Sequence, residues 1–232
     1  MVSVCMSVKD GAKYLEEQVV SILPQLGTMD EMVVCDNGST DGSCSILKSF
    51  QDPRIKIITA PGVGVVESFE HALTSCTGEL IFLADQDDIW SPNKISTMTR
   101  SLEVYDLVVC DCAMIDENLQ VYVKSFFELN GSGKGLLKNL VRNSYMGCCM
   151  AFRRKVLNRA LPFPRAISMH DYWIGLVAEL HFNTLFLQDP LLWHRKHSSN
   201  LSTTGRRSAQ PYARRISQRI QIIKNLVQRA HV

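Results

Sequence analysis

The feature that most constrains this chain is a regular alternation of short β-rich runs with stretches of helical period in its first half. The β-rich runs lie at residues 2–8, 32–35, 54–59, 80–84 and 107–110. Apolar residues at helical spacing follow the first four runs, as in Tyr14, Leu15, Val19 and Ile22. Neighbouring parallel strands need crossover connections, which are usually helices. The sequence therefore predicts an α/β fold with a mostly parallel sheet flanked by helices on both faces.

The second half of the chain has a less regular pattern. It contains a polar, Gly-rich loop at 130–135, an apolar run at 145–152, helical patterns at 154–161 and 170–180, and a strand pattern at 182–187. The hydrophobic pattern continues without a linker or an internal repeat. We therefore expect one domain over residues 1–205, in which the later half builds a wall over the first.

Composition excludes several classes of protein. A chain of 232 residues, 46% of them apolar, can bury a core large enough that no disulfide or structural metal is required. No window approaches the roughly 18 apolar residues of a membrane span, so we expect neither a span nor a secretory signal. The eight cysteines form no CxxC pair and mostly lie in apolar runs, which predicts buried, reduced thiols.

Polar residues follow three of the predicted strands at the points where those strands end. Ser7, Asp36 and the segment Asp85-Gln86-Asp87-Asp88 all come at the ends of apolar runs. In sheets of this class, ligands bind at the carboxyl ends of the strands. The sequence therefore predicts that these residues face one crevice.

The acidic segment Asp85-Gln86-Asp87-Asp88 has two interpretations. Its three carboxylates repel one another unless a cation neutralises them, and Mg²⁺ typically takes one or two carboxylates together with water and phosphate oxygens. This favours a site for a metal bound together with a nucleotide diphosphate. Alternatively, the segment is a solvated loop in which Asp88 precedes a helix and interacts with its dipole.

The segment from Asp36 to Asp41 is also open to two interpretations. Its Asn-Gly and Asp-Gly pairs form turns, and its hydroxyl side chains could cap the next helix. Alternatively, Asp36 and Asn37 hydrogen-bond a nucleotide base or ribose hydroxyls. The later stretch 62–67 is not a dinucleotide fingerprint, because Glu67 stands in place of the third glycine.

Two segments of the second half carry further candidate groups. Asp171, in His170-Asp171-Tyr172-Trp173, is either an ordinary acid of a first helical turn or an ionised carboxylate positioned as a general base. The cluster Arg195, Lys196 and His197 is either a solvated basic run or a set of contacts for a metal and for diphosphate oxygens.

Six motifs occur in order over about residues 1–205. They are the strand at 2–7, Tyr14-Leu15-Glu16-Glu17-Gln18, Asp36-x-Gly38-Ser39-Thr40-Asp41, Asp85-Gln86-Asp87-Asp88-Ile89-Trp90, His170-Asp171-Tyr172-Trp173 and Arg195-x-His197-x-x-Asn200. Together they resemble the motifs of family 2 glycosyltransferases of the GT-A fold, and in particular a rhamnosyltransferase-like branch. Members of that family transfer a sugar from a nucleoside diphosphate to an acceptor hydroxyl with inversion at the anomeric carbon.

The resemblance implies a role for each motif. By motif position, Asp171 is the catalytic base, and Asp87 binds Mg²⁺ or Mn²⁺ with His197 as a second contact. The residues that bind the nucleotide sugar are then Ser7, Asp36, Asn37, Asp85 and Arg195, and those on the acceptor side are Gly147, Cys148 and Trp173. Residues 1–112 become the nucleotide-sugar-binding half and residues 113–205 the acceptor-side half.

The resemblance also implies a substrate class and a location. The expected donor is dTDP-rhamnose or a UDP-hexose, and the expected acceptor is a glycan or lipid-linked glycan of bacterial surface polysaccharide synthesis. The expected location is the cytoplasm, peripherally at the inner face of the plasma membrane, and no nucleic acid partner is expected.

The tail at residues 206–232 differs in composition from the rest of the chain. It holds seven Lys and Arg residues and no acid, and Ile216, Ile220, Ile223 and Val227 recur at helical spacing. This predicts a basic amphipathic helix, which either packs on the domain or lies on an anionic membrane.

Two functions of other classes remain open from the residues. Nucleotidyl transfer or phosphate-ester hydrolysis could use the acidic segment, but it would normally need more metal carboxylates or a GxxxxGK[ST] loop, and the chain has no such loop. A noncatalytic nucleotide-sugar or glycan binder on the same scaffold is the other alternative.

Overall fold

A computed structural model of the chain describes residues 1–165, 167–197 and 212–230. The strands are β1 (Val2–Val8), β2 (Glu31–Asp36), β3 (Ile55–Thr59), β4 (Leu80–Ala84), β5 (Ile89–Trp90), β6 (Leu107–Ile115), β7 (Val121–Val123), β8 (Met150–Arg153) and β9 (Thr184–Arg195). The helices are α1 (Ala12–Ile22), α2 (Ser43–Ser49), α3 (Val65–Ser75), α4 (Lys94–Ser101), α5 (Phe126–Asn130), α6 (Leu136–Val141), α7 (Arg154–Ala160), α8 (His170–His181) and α9 (Tyr212–Ala230). The α/β prediction is confirmed.

In the described residues the strands form one sheet, in the order β3-β2-β1-β4-β8-β6-β9-β5, with β7 paired to β6. The first four strands in this order are parallel to one another. β8 is antiparallel to both β4 and β6, whereas β6 and β9 are parallel. The fifth predicted strand, β6, is therefore not a neighbour of β4, because β8 from the apolar run at 145–152 lies between them.

The central strands are buried on both faces, which explains their nearly continuous apolar sequence. Val4, Cys5 and Met6 of β1 are fully buried, as are Ile81 and Phe82 of β4. Helix α1 contributes Leu15, Val19 and Ile22 to the same core. All eight cysteines are free thiols, and seven of them are buried.

Ser91-Pro92 has the sequence form of an N-cap followed by a first helical residue, which predicts a helix start there, but α4 begins at Lys94 and this prediction is wrong. The Ser91 hydroxyl donates to Asn93 Oδ1 at 2.8 Å and caps no helix, and α4 starts at Lys94. The cause lies in the preceding residues, since β5 pairs with β9 and the Ser91 N–H donates to the carbonyl of Leu191. The chain leaves the sheet only after this bond.

Lys94 is a fully buried lysine that ties α4 to the second half of the chain. Its ammonium lies 3.9 Å from the centre of the Trp90 ring and donates to the carbonyl of Cys148. The cation–π contact and the hydrogen bond together offset the cost of burying the charge. The Trp90 ring is likewise buried, so it belongs to the core.

Helix α9 packs on the domain, but not through the predicted stripe. Its buried apolar residues are Ile222 and Leu226, whereas Ile220, Ile223 and Val227 are about half exposed. The Arg229 guanidinium fixes the end of the helix by donating to the carbonyl of Leu161 at 3.0 Å. The side chain of Ile216, the position of Asn200 and the predicted boundary at 205/206 lie outside the described residues. None of the helices that are described has both the length and the apolar character needed to cross a membrane.

Replacing Gly175 with alanine should destabilise the protein. Gly175 lies in α8 against the ring of Tyr145, and an added Cβ would come within 2.4 Å of ring atoms. Overpacking of this kind typically costs about 1–3 kcal/mol, so we expect Gly175→Ala to lower the free energy of unfolding by that amount in urea denaturation. The control is Gly27→Ala, where the exposed new methyl would meet only the side chain of Asp30 at 3.3 Å. Equal stability of the two variants would contradict the close packing of α8 on Tyr145.

Candidate active site

The candidate site lies at the carboxyl ends of β1, β2 and β4. The chain passes from β1 to β2 and β3 on one side and returns to β4 on the other, so the strand order reverses at β1. Such a switch point opens a crevice between the loops that follow the strands. Ser7 ends β1, Asp36 ends β2 and Asp85 follows β4, so the structure brings the predicted strand-end residues to one edge.

Two glutamine side chains fix the acidic loop at residues 85–88. The Gln86 amide pairs with the backbone of Lys9, accepting from its N–H at 2.8 Å and donating to its carbonyl at 3.1 Å. Gln18, buried in α1, donates to the carbonyl of Asp85 at 2.8 Å. Neither role was predicted, because each depends on a contact more than 60 residues away in sequence.

Asp87 and His197 come together as the resemblance implies. His197 Nε2 lies 2.8 Å from Asp87 Oδ2, and both side chains are largely buried. The Arg195 Nε–H donates to the backbone carbonyl of Asp87 at 3.0 Å, so the end of β9 holds this part of the loop in place. The loop therefore presents one carboxylate beside one imidazole.

Asp88 forms a buried ion pair that sequence analysis missed. His194 Nδ1 lies 2.9 Å from Asp88 Oδ1, and both side chains are almost fully buried. Burial raises the pKa of Asp88 and the nearby His194 charge lowers it, with a net lowering; the pKa of His194 is raised well above its usual range, because the attraction of Asp88 outweighs burial. Asp88 therefore does not follow the solvated-loop interpretation.

Cys148 completes a group with Asp88 and His194. One potential ligand atom from each residue lies within 4.8 Å of those of the other two. His194 Nδ1, however, already faces Asp88 Oδ1 directly, and the Cys148 Sγ is 3.9 Å from the same nitrogen. As the ion pair already balances its charge, we assign this group to holding the loop against β9.

Arg195 is buried, and its guanidinium faces the protein. It forms an ion pair with Glu17 of α1 and lies 4.7 Å from the centre of the Tyr14 ring. These contacts join β9 to the second of the six motifs. The contact of Arg195 with a donor diphosphate stays a prediction, and the structure gives the side chain a structural role in addition.

The acidic loop carries more negative charge than the neighbouring positive groups offset. Burial and the charges of Asp88 and Asp87 raise the pKa of Asp85 to about 8. Burial and Asp88 also raise the pKa of Asp87, although His197 and His194 oppose the shift. A bound cation would favour the ionised form of such a carboxyl group and lower its pKa. The donor set therefore fits a divalent metal ion.

Asp171 lies in the first turn of α8, where the backbone fixes its carboxylate. The Gly147 N–H donates to Oδ2 at 3.0 Å and the Tyr172 N–H to Oδ1 at 2.6 Å. Burial raises the pKa of Asp171 to about 6, and the two backbone hydrogen bonds limit the rise. Just above that pH the group is ionised and still more basic than an ordinary aspartate, which suits a general base.

Asp171 and the acidic loop belong to the same site. The negative charge of Asp171 contributes to the raised pKa of Asp85. A short chain of contacts also joins them, because Gly147 binds Asp171 and the next residue, Cys148, contacts His194 of the Asp88 ion pair. Asp171 of the second half therefore lies near the acidic loop of the first half.

The predicted nucleotide pocket lies at the ends of β1 and β2. The carboxylate of Asp36 accepts from the Ser39 N–H at 3.1 Å, which is the predicted turn, and the Ser7 hydroxyl lies 2.7 Å from that of Ser68. The amide of Asn37 donates to the carbonyl of Val63 at 2.7 Å, and its buried Oδ1 has no hydrogen-bond partner among the described residues. This oxygen is an available acceptor.

The side chains of Trp173, Cys148 and His170 are buried in the protein core. The Trp173 side chain is fully buried and its indole N–H donates to the carbonyl of Ala160 at 2.9 Å, and the Cys148 thiol is also fully buried. In a helix, residues two apart point in nearly opposite directions, so Trp173 cannot share the face of Asp171. The acceptor-side role of these two side chains stays a prediction, as does that of Gly147, which contacts Asp171. His170 stacks on Phe69 with ring centres 3.8 Å apart, and burial lowers its pKa to about 3.

Comparison with known proteins agrees with this geometry. A model of the family described as Glycosyl transferase family 2 matches residues 3–161 of the chain. A glycosyltransferase of Nostoc sp. is 26% identical over 215 residues, which cover 86% of this chain and 66% of the relative. The UDP-Glc:alpha-D-GlcNAc-diphosphoundecaprenol beta-1,3-glucosyltransferase WfgD of Escherichia coli is 25% identical over 186 residues, covering 76% of this chain and 68% of that protein. The chain thus spans about two thirds of the length of these two relatives.

Solved structures show the same fold. Staphylococcus aureus TarS 1–349 in complex with UDP-GlcNAc superposes with a TM-score of 0.70 at 18% identity, covering 98% of this chain and 72% of that one. The mannosyltransferase PcManGT of Pyrobaculum calidifontis, in complex with GDP-Man and Mn²⁺, superposes with a TM-score of 0.64 at 18% identity, covering 98% and 64%. At these identities the likeness establishes the fold.

Replacing Asp171 with asparagine should stabilise the protein at neutral and alkaline pH. A carboxyl group whose folded pKa is raised from 3.8 to about 6 contributes stability below pH 4 that is lost as the pH rises through 6. Two pKa units correspond to about 3 kcal/mol, and partial exposure of the group reduces this to about 1–3 kcal/mol. Urea denaturation of Asp171→Asn at pH 8 and pH 4 should show the gain at pH 8 only. The same replacement at the exposed Asp189 is the control, and an equal gain there would show that the effect is not specific to the buried site.

Proposed function

The chain belongs to glycosyl transferase family 2 and has the GT-A fold, and from this premise we propose that it transfers a sugar from a nucleoside diphosphate to an acceptor hydroxyl with inversion. The observation that carries the proposal is the chain of contacts from Asp171 through Gly147 and Cys148 to the Asp88–His194 pair, which supports a base and an acidic loop at one site. A base alone or an acidic loop alone would fit many functions. Together they fit a displacement in which the acceptor hydroxyl loses a proton and the nucleoside diphosphate leaves as an anion.

Asp171 is the general base of the proposed reaction. Its carboxylate accepts the proton of the acceptor hydroxyl while the hydroxyl oxygen forms a bond to the anomeric carbon. The bond from that carbon to the diphosphate oxygen breaks with its electron pair, and the nucleoside diphosphate leaves. A single displacement of this kind needs one base and inverts the anomeric centre, because attack comes from the face opposite the leaving group.

Asp87 and His197 would hold Mg²⁺ or Mn²⁺. The 2.8 Å contact between Asp87 Oδ2 and His197 Nε2 puts a carboxylate and an imidazole side by side, a pair of ligands that a divalent ion could take in place of their hydrogen bond. The ion would supply positive charge to the leaving diphosphate. Asp85, whose pKa is raised by its acidic neighbours, would lie close to the ribose or diphosphate. The contact between Asp87 and His197 supports this assignment.

The nucleotide base would bind beside Asn37. Its unpartnered Oδ1 can accept from a ring N–H, as uracil and thymine both provide, and this supports a UDP or dTDP donor. Asp36 and Ser7 would line the ribose side of the pocket. A UDP-hexose or dTDP-rhamnose is therefore the proposed donor, the latter in keeping with the rhamnosyltransferase-like motifs of the chain.

The proposed acceptor is a glycan or lipid-linked glycan of bacterial surface polysaccharide synthesis. The name of the E. coli relative describes transfer to a sugar on diphosphoundecaprenol, which supports an acceptor of that class. We assign donor binding to residues 1–112 and acceptor binding to residues 113–205, with Gly147 beside the base. The proposed location is the cytoplasm, at the inner face of the plasma membrane.

Replacing the proposed base, Asp171, and replacing the proposed metal contact, Asp87, should have different effects on turnover and on donor binding. We expect Asp171→Asn to lower the turnover number by about 10²–10⁴ and to leave the donor Kd within about twofold, because the base acts only on the acceptor. Asp87→Asn should instead weaken donor binding in the presence of Mn²⁺. Release of nucleoside diphosphate from UDP-glucose, UDP-GlcNAc, dTDP-rhamnose and GDP-mannose measures turnover, and calorimetry measures binding.

The control for both variants is Asp189→Asn, which removes an exposed carboxylate of β9 and should change neither quantity. Binding of one donor without turnover, with every acceptor tried, would favour a noncatalytic binder. Unchanged turnover in Asp171→Asn would remove Asp171 from the mechanism.

The rate of transfer should depend on the ionisation of Asp171. The pKa of this group is about 6, so kcat/KM measured under conditions where chemistry limits the rate should rise through pH 6 and reach a plateau above pH 7. Donor affinity measured over the same range corrects for titration of the acidic loop. A rate that stays constant from pH 5 to pH 8 would rule out a base with this pKa.

A further inference from the structure

Helices α6 and α9 carry an unusual set of exposed apolar side chains. On α6, Leu137 is 79% exposed and Val141 is 69% exposed. On α9, Ile220 is 50%, Ile223 44% and Val227 53% exposed. Single exposed apolar residues are ordinary, but five on two short surface segments call for an explanation.

The two sets adjoin. The Arg219 guanidinium of α9 donates to the carbonyl of Val141, the last residue of α6. Successive residues of a helix are rotated by about 100°, so Ile223 lies about 40° from Arg219 around α9, and Ile220 and Val227 lie about 100° and 80° away on the same side. The buried residues Ile222 and Leu226 lie on the other side of Arg219. The exposed stripe of α9 therefore borders the end of α6.

The charged residues of α6 and α9 are all basic, and Glu179 of α8, which lies against α6, accepts hydrogen bonds from Asn139, Gly135 and Tyr145. Lys138 and Arg142 at α6 and Lys224 on α9 are exposed, and Arg219 lies between the helices. Residues 136–142 and 206–232 contain no Asp or Glu. An apolar centre with a cationic rim matches the chemistry of a surface that offers acyl chains beneath anionic head groups.

We propose that α6 and α9 together form a docking surface for an anionic phospholipid bilayer. Leu137, Val141, Ile220, Ile223 and Val227 enter the boundary between head groups and acyl chains, and the lysine and arginine side chains contact lipid phosphates. The surface is made by two helices that are about 70 residues apart in sequence. It goes beyond a membrane-binding tail, because residues of the folded domain contribute its most exposed apolar side chains.

The charge distribution argues against a second copy of this chain as the occupant. A symmetric dimer through this face would bring the same cationic rim against itself, and like charges in contact disfavour association. Residues 198–211 do not supply the missing negative charge either, because they contain Arg206 and Arg207 and no acid. An anionic lipid surface offers acyl chains to the apolar centre and negative charge to the cationic rim.

The position of the surface connects it to the proposed acceptor. The Tyr172 hydroxyl donates to the carbonyl of Asn139 in α6 at 3.1 Å, and Arg219 of α9 acts electrostatically on Tyr172. Tyr172 follows Asp171 directly in α8. A membrane bound at α6 and α9 thus lies beside the catalytic end of α8, where a lipid-linked acceptor could reach the base; this last step alone depends on the proposed function.

Vesicle binding without donor or acceptor tests the docking surface independently of transfer activity. We expect the full chain to sediment with vesicles of equal parts phosphatidylglycerol and phosphatidylcholine, and to bind pure phosphatidylcholine at least about tenfold more weakly. Leu137→Ser with Val141→Ser should weaken binding to the anionic vesicles by about tenfold or more. Lys138→Gln with Lys224→Gln should weaken it by about ten- to thirtyfold. All four side chains are exposed, so the variants should fold, which circular dichroism checks.

The matched control is Met29→Ser with Val104→Ser, which removes two apolar side chains that are 76% and 72% exposed elsewhere on the domain. It should bind the anionic vesicles like the original chain. The proposal is overturned if the chain prefers anionic vesicles no more than neutral ones, if the control loses as much binding as the α6 variant, or if neither surface variant loses any. A solution dimer that Leu137→Ser with Val141→Ser dissociates would also overturn it, since the surface would then be a protein interface.

Discussion

Mutual repulsion among Asp85, Asp87 and Asp88 is the constraint on which the rest of the site depends. Burial and the charge of Asp88 raise the pKa of Asp85 and of Asp87, and the charge of Asp87 adds to the rise at Asp85. The end of β9 and the segment after it lie against these carboxylates: His194 pairs with Asp88, Arg195 holds the backbone of Asp87, and His197 contacts the Asp87 carboxylate. The acidic loop keeps its shape because a strand more than 90 residues later lies against it.

Because β9 of the second half holds the acidic loop of the first half, the site depends on the sheet that the two halves share. β8 enters between β4 and β6, so the residues just before it are placed beside the acidic loop. Those residues include Gly147, which binds Asp171, and Cys148, whose carbonyl accepts from the buried Lys94. The same segment therefore positions the Asp171 carboxylate of the second half and closes the core of the first half. Tyr145, in the same segment, packs against Gly175 of α8, so a larger residue at position 175 would disturb both the contact with Asp171 and the core.

The sequence predicts the first half well, because its strands are buried on both faces and read as continuous apolar runs between helical stripes. It does not predict the insertion of β8, since nothing local distinguishes an apolar run that pairs antiparallel from one that pairs parallel. It also misses the Asp88–His194 pair and the two stripes of α9, which depend on contacts distant in sequence. It also does not show which side chains of a motif face the site: Trp173 lies two residues from Asp171, and helical rotation turns it toward the core.

The raised pKa values of Asp85 and Asp171 have different causes, so a bound cation would affect the two groups differently. For Asp85 the rise comes from burial and neighbouring carboxylates, and a bound cation would reverse it. For Asp171 the rise comes from burial, and only backbone N–H groups oppose it among the described residues. A cation in contact with Asp171 would lower its pKa and remove the basicity that proton abstraction needs. If Asp87 holds a metal ion and Asp171 accepts a proton, as proposed, the two carboxylates must be kept apart, and they lie on different halves of the chain.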